Sequence, residues 1–189
     1  MLRERRFIGS LILRLQPEPQ ATRVWERGAS GERIVGARLD RIAGIEVLHD
    51  RQIPGTRVGI DHVAIGPGGV YVVAAKLSRG IVRHRPAGGL GRRDPRVLVG
   101  DKDQTKLIAK MGAQIDAVSR ALRETPIPVT AAVCFVDAQW PVPARPVDLH
   151  GVWIGWPDAL PDLVGRAGLL DADAMKATAE LLDARLAPP

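Results

Sequence analysis

The stretch that most limits what this chain can fold into runs from Val58 to Leu77. Two apolar, β-branched segments, Val58–Ile65 and Val70–Leu77, are separated by Gly66-Pro67-Gly68-Gly69. That tetrapeptide stops a strand and turns the chain, so the two segments are expected to pair as an antiparallel hairpin. With Ile65 opposite Val70, Asp61 falls opposite Ala74 and Gly59 opposite Lys76. Directly paired Cβ atoms lie about 4.5–5.5 Å apart. Side chains alternate along a strand, so Val70, Val72, Ala74 and Lys76 share one face with Asp61, while His62 points to the other. An otherwise apolar face thus ends in a carboxylate and an ammonium. A one-residue bulge would undo this register.

On pattern alone Asp61 and Lys76 read as an ion pair at a sheet end. The alternative is chemical: Asp61 as an oxygen ligand for a hard divalent cation, with Lys76 stabilising charge on a phosphate.

The rest of the chain surrounds this hairpin with helices and further strands. Ala21–Asp40 has a helical pattern weakened by Gly28, Gly31 and Gly36, and Ser30 is a candidate cap for a helix starting near Gly31. Ile45–Ile53 reads as a strand closed by Pro54-Gly55. Ile81–Arg85 and Arg96–Val99 read as a fourth and fifth strand, separated by the Gly- and Arg-rich loop Pro86–Pro95. Thr105–Leu122 is the clearest helix, with Leu107, Ile108, Met111, Ile115, Val118 and Leu122 as its apolar stripe. Val129–Val136 is a buried strand and Gly151–Trp156 another. Pro157–Val164 and Asp171–Leu186 read as closing helices. The order predicts an α/β fold: a mixed central sheet flanked by helices, with C-terminal helical additions. Residues 1–20 read as a basic N-terminal extension and 21–189 as a single domain.

Composition narrows the function classes. The 189 residues carry a formal charge of +6, which favours polyanionic partners. Cys134 is the sole cysteine, so neither an internal disulfide nor a cysteine zinc cluster is available. A reducing, cytoplasmic setting fits. Arg14 interrupts the apolar stretch Phe7–Leu13, which argues against a signal peptide. No apolar run approaches the ~20 residues of a membrane span.

An ordered set of short matches carries a family resemblance. It comprises Gly31-Glu32-Arg33; Val47-Leu48-His49-Asp50 with Ile53-Pro54-Gly55; Ile60-Asp61-His62-Val63; Gly66-Pro67-Gly68-Gly69-Val70; and the strand ending in Lys76. Asp103-Gln104-Thr105-Lys106-Leu107 with Gln114, Cys134-Phe135-Val136-Asp137 and Trp140-Pro141 follow. Over roughly residues 22–160 this resembles the nuclease-related domain (NERD) family. The resemblance implies a restriction-endonuclease-like core whose motif is an Asp, then an acid, any residue and Lys. It implies Mg²⁺ or Mn²⁺ as cofactor and nucleic acid, DNA first, as partner. Asp61 matches the first acid, Lys76 the lysine, Glu32 the helix acid and Gln114 the polar helix residue. Asp61 and Glu32 are then the candidate metal ligands.

Position 74 departs from the pattern, because Ala74 stands where the second acid belongs. A methyl group cannot ligate a metal, so the expectation is a divalent-metal nuclease domain impaired or inactive as written. The alternative is a non-catalytic nucleic-acid-binding module of nuclease descent. Natural degeneration and deliberate substitution both account for Ala74.

Arg79, Arg83, Arg85, Arg92, Arg93 and Arg96 cluster after the motif, and Lys106 and Lys110 lie one helical turn apart. Of these, Arg79, Arg83, Arg92, Arg93, Lys106 and Lys110 are candidates for phosphate contacts. Trp140, Trp153 and Trp156 read as packing residues.

Overall fold

The computed structural model describes residues 20–85, 95–123, 125–186 and 188, with side chains from residue 28 onward. The N-terminal extension through residue 19, and Arg92 and Arg93 of the arginine-rich loop, lie outside the described residues.

The chain opens with α1 (Gln20–Leu39), then β1 (Glu46–Gln52), β2 (Gly59–Gly66) and β3 (Gly69–Arg85). Next come the short strands β4 (Arg96–Val99) and β5 (Lys102–Asp103), helix α2 (Thr105–Leu122) and β6 (Val129–Gln139). The pair β7 (Val147–Leu149) and β8 (Val152–Gly155), a 3-10 turn, α3 (Leu160–Val164) and α4 (Ala172–Arg185) complete it.

The main sheet has the order β1-β2-β3-β6-β8-β7. β1, β2 and β3 are antiparallel neighbours, whereas β3–β6 and β6–β8 are parallel. Parallel neighbours need a crossover, and α2 lies on the connection from β3 to β6. Both faces are covered, which is why the central strands read as continuous apolar runs. One face packs Val63, Ile65, Val72, Val133 and Phe135 against Ile108, Met111 and Val118 of α2 and Leu182 of α4. The other packs Ala64, Val73 and Cys134 against Val35 and Leu39 of α1 and Leu160 and Leu163 of α3. This is the expected mixed sheet between helices.

Several boundaries differ from those expected. α1 does not begin near Gly31, and Ser30 is not its cap; the helix runs through Gly28 and Gly31 from Gln20. Gly31 and Gly36 serve close packing instead, Gly31 against Leu77 of β3. A Cβ on Gly36 would meet His62 Cε1 at 3.2 Å and His49 Cε1 at 3.4 Å, so α1 lies almost on the strands. The segments expected as a third and a fourth strand are one strand, β3, with a register shift against β6 between Leu77 and Gly80. Gly80 has φ +117° and its hydrogen faces Gly100, where a Cβ would come within 2.7 Å of that backbone. This bulge lets β3 leave the main sheet and form an arm with β4 and β5.

Candidate functional site

The predicted hairpin register holds. β2 and β3 pair from Gly66–Gly69 through Ile65–Val70 to His62–Val73. At the next position the Asp61 carboxylate accepts the Ala75 backbone N–H at 2.8 Å. Asp61 therefore ends the ladder with its side chain. Ala74, across from it, is 8% exposed and belongs to the apolar cluster under α2. Lys76 is exposed on the same edge. Burial is the main influence on Asp61 and raises its pKa. The Ala75 N–H opposes this, Asp50 adds to it, and Lys76 opposes it again.

Asp50 is the site residue that the sequence reading missed. The ladder pairs His49–His62 and Arg51–Ile60 bracket Asp50 and Asp61, which sit at the same level of β1 and β2, and Asp50 lines the cleft beside Glu32. Asp50 has φ +50°, a left-handed conformation in mid-strand that aspartate tolerates better than most residues. Glu32, on α1, joins this group: burial first, then Asp61, then Asp50 raise its pKa. The sequence could have shown Asp50 only through the β1–β2 register, because nothing in its neighbours His49 and Arg51 marks it.

Gln114 projects from α2 and donates its side-chain amide to the Gly59 carbonyl at 2.7 Å. It ties the helix to the start of β2, two residues before Asp61.

Glu32, Asp61, Ala74 and Lys76 thus gather at one end of the central hairpin. The donor set does not fit a divalent metal. Among the described residues no group of three or more His, Cys, Asp or Glu side chains is arranged to hold one. The Ala74 methyl across from Asp61 offers no ligand, and Asp61 already has an oxygen engaged with the backbone.

His62 points away from Asp61, as expected, into a cleft of about 390 Å³ between α1 and β1–β2. His49 Nδ1 and His62 Nδ1 are 2.8 Å apart, and His49 Nε2 lies 2.9 Å from the Asp40 carboxylate. One ring donates and the other accepts, making a chain from Asp40 at the surface to His62 inside. His62 Nε2 is near the Glu32 backbone carbonyl but makes no hydrogen bond of normal geometry. Burial and His49 push the His62 pKa down to about 4.

The basic candidates are scattered, and several are paired. Arg79 meets Asp137 at 2.8 Å, Arg83 lies 3.4 Å from Asp101, and Arg96 lies 3.6 Å from Asp103. Lys106 and Lys110 are exposed on α2 and have no ion-pair partner among the described residues. Trp140 and Trp156 meet in a tilted arrangement with ring centroids 4.8 Å apart, and Trp153 is buried, so all three pack as expected. Cys134 is fully buried, and burial raises its thiol pKa.

A mixed sheet between helices, with acids at one end of its central hairpin, is a nuclease-like α/β core. Residues 27–136, more than half of the chain, match the nuclease-related domain, NERD, and the chain belongs to that family. No curated protein and no solved structure matches it. No helix among the described residues is long and apolar enough to cross a membrane.

Proposed function

We propose that this domain binds nucleic acid, DNA first, and that its phosphodiester-hydrolysing centre is impaired. The observation that carries this reading is Ala74. A buried methyl lies where the family pattern places an acid, and Asp61 opposite is already hydrogen-bonded to Ala75 N–H. Mg²⁺ holds its waters unless charge and geometry reward their loss, and one partly engaged carboxylate rewards it little. Glu32, Asp61 and Lys76 are the candidate catalytic groups, with Gln114 as a positioning residue for the β2 end. The net charge of +6 supports a polyanionic partner, and the expected setting is the cytoplasm.

The test is a plasmid-nicking assay with Mn²⁺ or Mg²⁺ on three proteins matched by circular dichroism: the chain as written, Ala74→Asp, and Ala74→Asp with Asp61→Ala. The expected result is little cleavage by the first, gain in the second and loss of that gain in the third. Equal cleavage by the chain as written and Ala74→Asp would show that position 74 is not the missing acid.

A further inference from the structure

The arm formed by the end of β3 with β4 presents a charged face that the hydrolytic centre does not use. Side chains alternate, so Arg83 and Arg85 share one face. The pairs Arg83–Leu98 and Arg85–Arg96 bring Leu98 and Arg96 onto it. The opposite face, Val82, Val97 and Val99, is buried in the cluster that includes Ile108 and Met111 of α2. The arginine face therefore looks outward, with the Arg83 and Arg96 side chains 56% and 59% exposed.

Arg85 directly opposite Arg96 is an unfavourable pairing, since like charges across a ladder repel and a guanidinium does not deprotonate. Asp101 lies 3.4 Å from Arg83 and Asp103 lies 3.6 Å from Arg96, and among the described residues Arg85 has no carboxylate partner. Among the described residues, three fixed cations with two loosely held counter-ions make a surface whose repulsion an added anion would relieve. Single-strand binders stack bases on aromatic rings. Among the described residues this face has none: its apolar members are Leu98 and the half-exposed Ile81.

We propose that Arg83, Arg85 and Arg96 form a docking surface for the phosphate backbone of double-stranded nucleic acid. This rests on the nucleic-acid reading above and names the strandedness of the partner and the element that holds it. Arg83 and Arg85 are about 7 Å apart along the strand, and Arg85 and Arg96 about 5 Å across it, which spreads charge over neighbouring phosphates. Guanidinium pairs phosphate oxygens bidentately. The arm continues the strand that carries Lys76, so a duplex gripped there is held in fixed relation to the Asp61 end of the sheet.

The experiment is fluorescence anisotropy with a short labelled duplex and the matching single strand, over a salt series, using the chain as written. Arg83→Gln with Arg85→Gln and Arg96→Gln is expected to weaken duplex binding roughly 10- to 100-fold and to lower the salt slope by roughly 3, about 0.9 per lost phosphate contact. The three-lysine counterpart keeps the charge and should retain most of the affinity. Arg120→Gln with Arg145→Gln, exposed arginines off the arm, should bind as the parent does. Unchanged duplex binding by the three-glutamine protein, or equal loss in the Arg120/Arg145 control, overturns the arm assignment while leaving nucleic-acid binding intact. Preference for the single strand overturns the duplex assignment. No binding of either probe by the parent overturns the nucleic-acid reading itself, and the docking surface with it.

Discussion

Asp50 lies at the level of Asp61, between the β1–β2 pairs His49–His62 and Arg51–Ile60, in a left-handed backbone conformation. Burial is the larger effect on both Asp61 and Glu32; Asp50 adds to the proton affinity of Asp61, and Asp61 and Asp50 add to that of Glu32.

The sign of this effect on stability follows from linkage. A carboxyl whose pKa is raised by folding disfavours the folded state when ionised. The penalty is complete above the folded pKa and vanishes below the unfolded value, near 3.8 for Asp61. Asp61→Asn keeps an oxygen for the Ala75 N–H and removes the charge. It should raise the melting temperature at pH 7, and the gain should shrink as the pH falls toward 3.8. A melting temperature lowered at pH 7 would show that the carboxylate charge is favourable where it sits.

His62 runs the other way. Its folded pKa of about 4 lies below the ordinary 6.5, so the stability it contributes is complete above pH 6.5 and is lost as pH falls toward 4. At pH 5 the loss should be about 2 kcal/mol relative to pH 7, from about 1.36 kcal/mol per pKa unit. Urea denaturation at both pH values should show the drop, and His62→Gln should reduce it. The same drop in both proteins would assign the acid sensitivity elsewhere.

Two glycines on helices should respond oppositely to alanine. Gly112 of α2 has nothing within 4 Å of a new Cβ, so Gly112→Ala should stabilise by roughly 0.5–1 kcal/mol through helix propensity. Gly36 of α1 would press on His62 and His49, which are hydrogen-bonded to each other and cannot both swing away. Gly36→Ala should therefore destabilise by roughly 1 kcal/mol despite the same propensity gain. Paired denaturation curves decide it, and stabilisation by both would mean that the histidine pair yields freely.

The family match ends at residue 136, yet α4 completes the core. Leu182 is fully buried with Val63 and Met111 in its cluster, and Arg51 of β1 is paired with Asp183. Leu182→Ala should cost about 2–5 kcal/mol, the range for a large core truncation. A cost under 1 kcal/mol, read by urea denaturation, would mark α4 as an appendage.

The hairpin and α2 were legible because their signals are local. A Gly-Pro-Gly-Gly turn fixes a register, and the apolar stripe of α2 placed its ends at Thr105 and Leu122. The span of α1 was legible as Ala21–Asp40, but the cap suggested at Ser30 was not there, because glycine lowers helix propensity whether or not it also admits a neighbouring strand. β5 and β7 are too short to show a period. The unity of β3 was hidden by the bulge at Gly80. Within the site, Glu32, Asp61, Ala74 and Lys76 were found through the hairpin and the family pattern. Asp50 and the Asp40–His49–His62 chain depend on the β1–β2 pairing across the intervening turn, which residue types alone did not announce.

The parallel pairing of β3 with β6 has a consequence for how the molecule is made. β3 meets β2 through a tight turn, and such hairpins form in about 1–10 μs. Its other neighbour, β6, arrives only after the chain has traversed the arm and α2, so the strand pairing with most sequence between its partners is also the one at the centre of the sheet. Closing that long segment carries an entropic cost before any of the buried valines repay it. Until β6 docks, β3 offers an open row of backbone donors and acceptors, the kind of edge that another unfinished chain can occupy. Refolding yield should accordingly depend on protein concentration more strongly than the stability of the finished fold suggests.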